Sequence, residues 1–246
     1  MKNNSRLLKL AFDWYVSSYL LTNRQRQLGR LLSLGSVLCV HYDYMLEGKS
    51  RQADNFFVLG ADPEVVVTTI SAYGPATEHR IYVVADRPGL PLAYLSLGCS
   101  AMTGTNGLMA RGLQVLPEPD ESVHIRQART PGESMDLNTI DGADLTLAED
   151  VYDPRLAFYY LLVGQRPVAM ARVARKKPGV GWVSHVYTAP DFRGRGLATA
   201  LMSRVLAEQL EAGDRLSLLL ATENAHSLYR KLGYLDMAPV LNFVIN

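Results

Sequence analysis

Residues 184–198, Ser-His-Val-Tyr-Thr-Ala-Pro-Asp-Phe-Arg-Gly-Arg-Gly-Leu-Ala, constrain the fold more tightly than any other stretch. A strand-like apolar run meets Ala189-Pro190-Asp191, passes through Arg193-Gly194-Arg195-Gly196 and enters a helix-like segment at Leu197 and Ala198. Glycine permits backbone angles and close approaches that a side chain blocks. A helix start presents unpaired N–H groups and the positive end of its dipole, so this turn favours an anion, and two arginines reinforce the sign. A phosphate or pyrophosphate is the natural guest. The plainer reading of the same residues is a glycine-rich turn that closes a structural αβ unit. A P-loop would need Gly-Lys-Ser/Thr, and no lysine stands here. A dinucleotide fingerprint would need glycine or alanine where Thr199 stands.

The flanking sequence extends this unit in both directions. Residues 156–163 and 168–173 are apolar runs turning at Gly164-Gln165, and residues 181–188 follow a Pro178-Gly179 turn, which gives an antiparallel meander. After Gly196, Leu197, Leu201 and Val205 fall on one helical line with Met202, Leu206 and Leu210 beside it, and Gly213 stops the helix. Residues 216–221 are nearly continuous apolar sequence, suited to a strand buried on both faces beside a helical crossover. The run Thr222-Glu-Asn-Ala-His-Ser-Leu-Tyr-Arg-Lys-Leu-Gly-Tyr234 follows at once.

Two motifs here, Arg193-x-x-Gly196-x-Ala198 after a strand ending in x-Pro-acidic and the run containing Ala225, Leu228, Tyr229, Lys231, Gly233 and Tyr234, match one family. The chain resembles the GNAT superfamily of acetyl-CoA-dependent N-acetyltransferases over residues 123–246. One departure is Thr222, which falls where that family commonly has asparagine, with Asn224 two residues later. Asn224 either caps the helix or reaches the pantetheine amides.

The resemblance implies an α/β (α+β) fold with a mixed, mostly antiparallel sheet flanked by helices. It implies that pantetheine pairs with the main chain of Val186, Tyr187 and Thr188, while the diphosphate lies on Arg193, Gly194, Arg195, Gly196, Leu197 and Ala198. Backbone amides of that strand would polarise the thioester carbonyl. Tyr229 is implied as the acid for the departing thiolate, a phenol near ~10 against a thiol near ~8.5. The base for the amine stays open among His185, His226, Glu149, Asp150, Asp153 and water. Strand alternation sets His185 on the face opposite Ser184 and Val186.

A chain of 246 residues can hold one large domain or two small ones. A formal charge of +1, with no basic run beyond Arg175-Lys176-Lys177, argues against nucleic acid. Cys39 and Cys99 are too few for a disulfide framework or thiolate cluster, so a reducing, cytoplasmic setting and no metal are expected. Lys9 and Asp13 interrupt any signal or membrane-spanning run near the start, so no membrane partner is expected.

Helical spacing in the first half predicts a helix over residues 7–21, and Leu28, Leu31, Leu32 and Leu34 predict a second short one ending at Gly35. Residues 37–42 and 56–59 read as short strands, and Asp62-Pro63-Glu64 as the capped start of a helix through Ala72. Residues 81–95 read as strand, turn, strand, like residues 158–171. Pro91-Leu92-Ala93 then lies over Pro167-Val168-Ala169, 76 residues on, and the strand-like 113–118 with Pro117-Glu118 over Pro190-Asp191, 73 on. These nearly equal offsets suggest a duplication whose first copy is incomplete. Acidic Pro119-Asp120-Glu121-Ser122 stands where the second copy has its arginine turn, so the first should not hold CoA.

The expected organisation is an N-terminal helical and α/β unit, residues 1–121, possessing a degenerate GNAT-like fold without a CoA site, and a GNAT N-acetyltransferase domain, residues 122–246. The expected reaction passes acetyl from acetyl-CoA to a small-molecule or peptide amine by direct attack in a ternary complex. The alternative is a CoA-binding regulatory or interaction module without turnover. Residues 130–153 are short for an acceptor pocket, so the first unit is expected to supply one wall, and a fragment from about Glu121 to lose solubility or selectivity.

Overall fold

The computed structural model describes residues 2–22, 29–46, 49–74, 79–102, 104, 106–120, 122–143 and 146–245. The first half forms α1 (Lys2–Thr22), β1 (Arg30–Leu34), β2 (Val37–Leu46), β3 (Lys49–Leu59), α2 (Pro63–Tyr73), β4 (His79–Val84), α3 (Leu90–Ser96), β5 (Ser100–Ala101) and β6 (Asn106–Gly112). The second forms β7 (His124–Gln127), α4 (Pro131–Leu137), β8 (Leu156–Val163), β9 (Arg166–Ala174), β10 (Val180–Thr188), α5 (Leu197–Glu211), β11 (Leu216–Ala221), α6 (His226–Lys231) and β12 (Leu235–Ile245). The chain divides into two compact units: residues 1–109 with 221–226 and 236–246, and residues 110–220 with 227–235.

In the first unit β1, β2 and β3 form an antiparallel meander, β4 pairs in parallel with β3 after α2, and β12 pairs antiparallel with β4. Val66 and Ile70 of α2 are fully buried with Phe56, Ile81 and Tyr94. Burying a large apolar side chain contributes about 1.5–3 kcal/mol, so these residues carry much of this half. Tyr15 and Tyr19 of α1 meet the Phe57 ring edge-on, with centroids 5.3 and 4.9 Å away, and Tyr82 stacks on Phe57.

In the second unit β7, β8, β9 and β10 are antiparallel neighbours, and β11 joins β10 in parallel after the α5 crossover. Helix α5 buries Leu201, Met202, Val205 and Leu206 completely. Its C-terminal end is held by polar groups: Gln209 Nε2 donates to Ser217 Oγ at 3.2 Å, and Ser217 shares a 2.6 Å hydrogen bond with the Tyr234 hydroxyl. Arg175 Nε donates to Asp214 Oδ2 at 2.8 Å, and burial pushes that carboxyl upward against the arginine's opposing pull. Gly181 makes room for this network, since a Cβ there would run into the Gln209 amide and stand 3.0 Å from Asp214 Oδ2.

Four expectations are corrected. Residues 30–34 are a strand and not a helix, while Leu28 lies outside the described residues. Gly35-Ser36 is a two-residue hairpin loop, with Leu34 opposite Val37 and Gly35 at φ 65°, a turn signal that outweighs the leucine spacing. Residues 90–96 are α3, not the second strand of a hairpin. Pro91 sits in its first turn, where a missing N–H costs nothing, and Leu90 and Tyr94 are buried one turn apart. The strand near 113–118 lies earlier, as β6, and Glu121 lies outside the described residues. The pairings at offsets 76 and 73 therefore set unlike elements together.

A different correspondence replaces them. Each unit runs meander, helix, parallel strand, short helix: β3-α2-β4-α3 in the first and β10-α5-β11-α6 in the second. Tyr94-Leu95-Ser96-Leu97-Gly98 and Tyr229-Arg230-Lys231-Leu232-Gly233 stand 135 residues apart in the same place. The residue after each glycine donates its amide to the tyrosine carbonyl, Cys99 to Tyr94 at 3.1 Å and Tyr234 to Tyr229 at 3.0 Å. Both glycines take positive φ, 85° and 80°.

Among the described residues no helix is long and apolar enough to cross a membrane, and no cluster of three or more His, Cys, Asp or Glu could hold a metal.

Candidate acyl-CoA site

The parallel ladder of β10 with β11 runs from Val180 opposite Leu216 to Val183 opposite Leu219, yet β10 continues to Thr188. Beyond Val183 the β11-facing edge of β10 is free of this ladder. On its other side β10 is bulged: Ser184 faces Arg172, Tyr187 faces Met170, and one extra residue is taken up between them. His185 absorbs the irregularity at φ 53°, the one non-glycine at positive φ among the described residues.

The turn after β10 is organised for amide donation. Arg193 N and Phe192 N bond to Pro190 O and Ala189 O, and the first helical bond of α5 runs from Ala200 N to Gly196 O. The amides of Leu197, Ala198 and Thr199 are therefore among the orphans that a helix start leaves. Gly194 (φ 74°) and Gly196 (φ 77°) are left-handed, and a Cβ at either would meet nothing within 4 Å. Thr188 Oγ1, at the entrance, is buried without a hydrogen-bond partner.

The arginines are held locally. Arg193 Nε donates to Thr188 O at 2.9 Å with its guanidinium 5.3 Å from the Tyr187 ring centroid, and Arg195 Nη2 donates to Asp191 O at 2.8 Å beside Phe192. Main-chain edge, unspent amides, left-handed glycines and cationic rim together fit an extended amide chain ending in a diphosphate. Val186, Tyr187, Thr188 and Arg193 to Ala198 are thus brought together.

Tyr229 lies on α6, 5% exposed, its ring edge-on to Tyr234 at 5.7 Å. Burial pushes its phenol up to about 12, above the ordinary value used in the sequence reasoning. Asn224 is exposed inside a 3-10 turn (Glu223–Ala225) that leads into α6, with Thr222 at the N-cap position of that turn.

The candidate bases are engaged in different ways. The bulge overturns the alternation argument for His185, because Ser184 Oγ and His185 Nδ1 both lie against Arg172, at 3.2 and 2.7 Å. A guanidinium only donates, so this histidine faces a cation and is poorly suited to collect a proton. Asp153 is held by Arg155 Nε and Nη2 at 2.9 and 2.7 Å, and His226 Nε2 pairs with Asp236. Asp150 is buried, with Leu147 N 3.4 Å from Oδ2, whereas Glu149 is exposed.

Two contributors escaped the sequence reasoning. Arg172 is 3% exposed in the middle of apolar β9, where a lone arginine between alanine and valine was the available signal. Gly142 (φ 76°) underlies the Tyr187 hydroxyl, which a Cβ there would strike. The preceding helix, α4, carries a capping box, Thr130-x-x-Glu133, that marks its start: Glu133 N donates to Thr130 Oγ1 at 3.2 Å.

The equivalent place in the first unit is built otherwise. There β3 and β4 pair to their ends, from Asp54 opposite His79 to Leu59 opposite Val84. Only three residues separate β3 from α2, and the Asp62 carboxylate takes the Glu64 amide at 3.0 Å. A Cβ on Gly60 would lie 3.3 Å from Asp86 Oδ2. A zipped strand pair leaves no open edge between β3 and β4, and Pro63, which has no N–H, with the Asp62 carboxylate at the helix start disfavours an anionic ligand.

Comparison with known proteins agrees with this layout. Residues 123–234 match the profile of the acetyltransferase (GNAT) family. A GCN5-related N-acetyltransferase from Kribbella flavida is similar in structure, with 21% identity, TM-score 0.67, and coverage of 95% of this chain and 94% of that one. Another from Sphaerobacter thermophilus has 17% identity and TM-score 0.61, covering 87% and 82%. A tandem GNAT protein from the clavulanic acid biosynthesis pathway has 12% identity and TM-score 0.54, covering 87% and 84%. The search of curated proteins found no match. The fold is that of GNAT proteins over most of the chain, and within it residues 123–234 are similar to the GNAT acetyltransferase family.

Proposed function

We propose that this chain transfers acetyl from acetyl-CoA to an amine by direct attack in a ternary complex, at one site in the segment 122–246. The observation that carries the reading is the unzipped end of β10 leading into two left-handed glycines, set against its zipped, carboxylate-capped counterpart in residues 1–121. The first segment is on this reading a degenerate copy without a CoA site.

The main chain of Val186, Tyr187 and Thr188 takes the pantetheine amides, and Arg193, Gly194, Arg195, Gly196, Leu197 and Ala198 take the diphosphate. Amides beside the bulge steady the negative charge that develops on the thioester oxygen. As the amine nitrogen bonds to the carbonyl carbon and the C–S bond breaks, the nitrogen loses a proton to solvent or a carboxylate. Sulfur gains one from Tyr229. The tyrosine is a weaker acid than a free phenol, but a thiolate departing into the same apolar surroundings is raised as well. Asn224 either contacts the pantetheine arm or caps α6.

The test is thiol release from acetyl-CoA over a panel of amino acids, polyamines, aminoglycosides and peptide N-termini, for the native chain and Tyr229→Phe. Amine-dependent release that falls in the variant supports the reading. Calorimetric CoA binding with no release for any amine would favour the binding module instead.

A further inference from the structure

We propose that Tyr187 is a positioning residue, coupling the acyl-CoA turn to the loop at residues 140–143. Its ring faces two ways. On one side lies the Arg193 guanidinium, 5.3 Å from the ring centroid and anchored by its Nε to Thr188 O. On the other, the hydroxyl sits over Gly142, where only a glycine leaves room: a Cβ would strike the hydroxyl and stand 3.3 Å from Cζ.

The loop at residues 140–143 is anchored at its start. It follows α4, is pinned by Ile140 (2% exposed), and is turned by the bond from Ala143 N to Ile140 O at 3.1 Å. The tyrosine stands immediately after the β10 bulge, opposite Met170, so its backbone is fixed by the ladder while its side chain remains half-exposed. A diphosphate that recruits Arg193 changes what lies on one face of the ring. The other end meets Gly142, whose φ of 76° and missing Cβ let the hydroxyl lie directly against the loop's main chain, so a shift of the ring is felt there. Coupling through packed groups is reciprocal, so whatever settles the loop also tightens the turn.

This inference rests on the acyl-CoA reading, and CoA itself is the probe. Hydrogen exchange at the amides of Asp141, Gly142 and Ala143 should slow at least about fivefold on saturating the native chain with CoA. In Tyr187→Leu, brought to CoA saturation as judged by calorimetry, the slowing should vanish, and Tyr187→Phe, which keeps the ring, should restore part of it. Gly142→Ala should weaken CoA by roughly three- to tenfold, with no further loss in Gly142→Ala/Tyr187→Leu, the mark of a shared route. Equal slowing in Tyr187→Leu, no slowing in CoA-saturated native chain, or additive losses in the double variant would overturn the coupling while leaving the CoA site standing. No CoA binding by the native chain would overturn both.

Discussion

Gly196→Ala isolates the contribution of the phosphate turn. Gly196 holds φ 77° and ψ −2°, and nothing lies within 4 Å of where a Cβ would sit, so alanine meets no clash and the cost is purely conformational. Holding an L-residue left-handed costs roughly 1–2 kcal/mol. The turn can keep its shape and absorb that strain, or relax to negative φ and swing the amides of Leu197 and Ala198 away. With no packing to hold it, the free turn takes the second course, so the cost falls on the CoA-competent geometry, which implies a Kd about five- to thirtyfold weaker. Gly213, at φ 88° after the far end of α5 and likewise free of contacts, is the matched control. Gly213→Ala should lose similar stability, a Tm fall of about 2–4 °C per kcal/mol, with CoA affinity unchanged. Calorimetry with CoA and thermal unfolding on both variants separate the two. Native affinity in Gly196→Ala, or equal loss of affinity in both, would refute the assignment of the turn.

Tyr229→Phe should keep CoA affinity and lower turnover by about 10²–10⁴, the usual range for a lost general acid. Because burial raises this phenol from its ordinary 10 to about 12, its contribution to stability is whole below pH 10 and is lost as pH rises through 12, so alkaline unfolding of the phenylalanine variant should begin at higher pH. CoA titration of the native chain should give one site per chain, and Asp62→Ala should cost about 0.5–2 kcal/mol of stability without creating a second. Removal of residues 236–246 strips β4 of its ladder with β12 and Tyr94 of the stacked Phe243 ring, 4.9 Å away; loss of hydrogen-exchange protection along the β12-facing edge of β4 is the expected readout. Gly181→Ala should destabilise by about 1–3 kcal/mol through the Gln209 and Asp214 contacts, with Tm as the measure.

The second half of the chain was legible because its signals agree across levels. Apolar runs punctuated by Gly164-Gln165 and Pro178-Gly179 in β8 to β10, helical spacing in α5 and the glycines at 194, 196 and 213 all specify the same boundaries. In the first half local signals conflicted. Leucines at 31, 32 and 34 suit either period, and only the Gly35-Ser36 loop decides for a strand. Leu90-Pro91 looks like strand punctuation until Tyr94, four residues on, is seen to be buried with Leu90. The bulge at His185 had no signal in residue type at all, because it arises where one strand must leave its partner. That single residue moved His185 from the far face to the side of Arg172.

The return of the C-terminal strand to the first unit sets a clock on biosynthesis. β4 emerges early, but the strand that covers its edge is encoded roughly 160 residues later, about 10–30 s of chain elongation. For that interval an apolar strand, with Ile81, Val83 and Val84 destined for burial, has an open side on which other nascent chains can add. A first half moved without residues 236–246 would carry that open edge with it. A ribosome stalled before codon 236 would release a chain primed for aggregation.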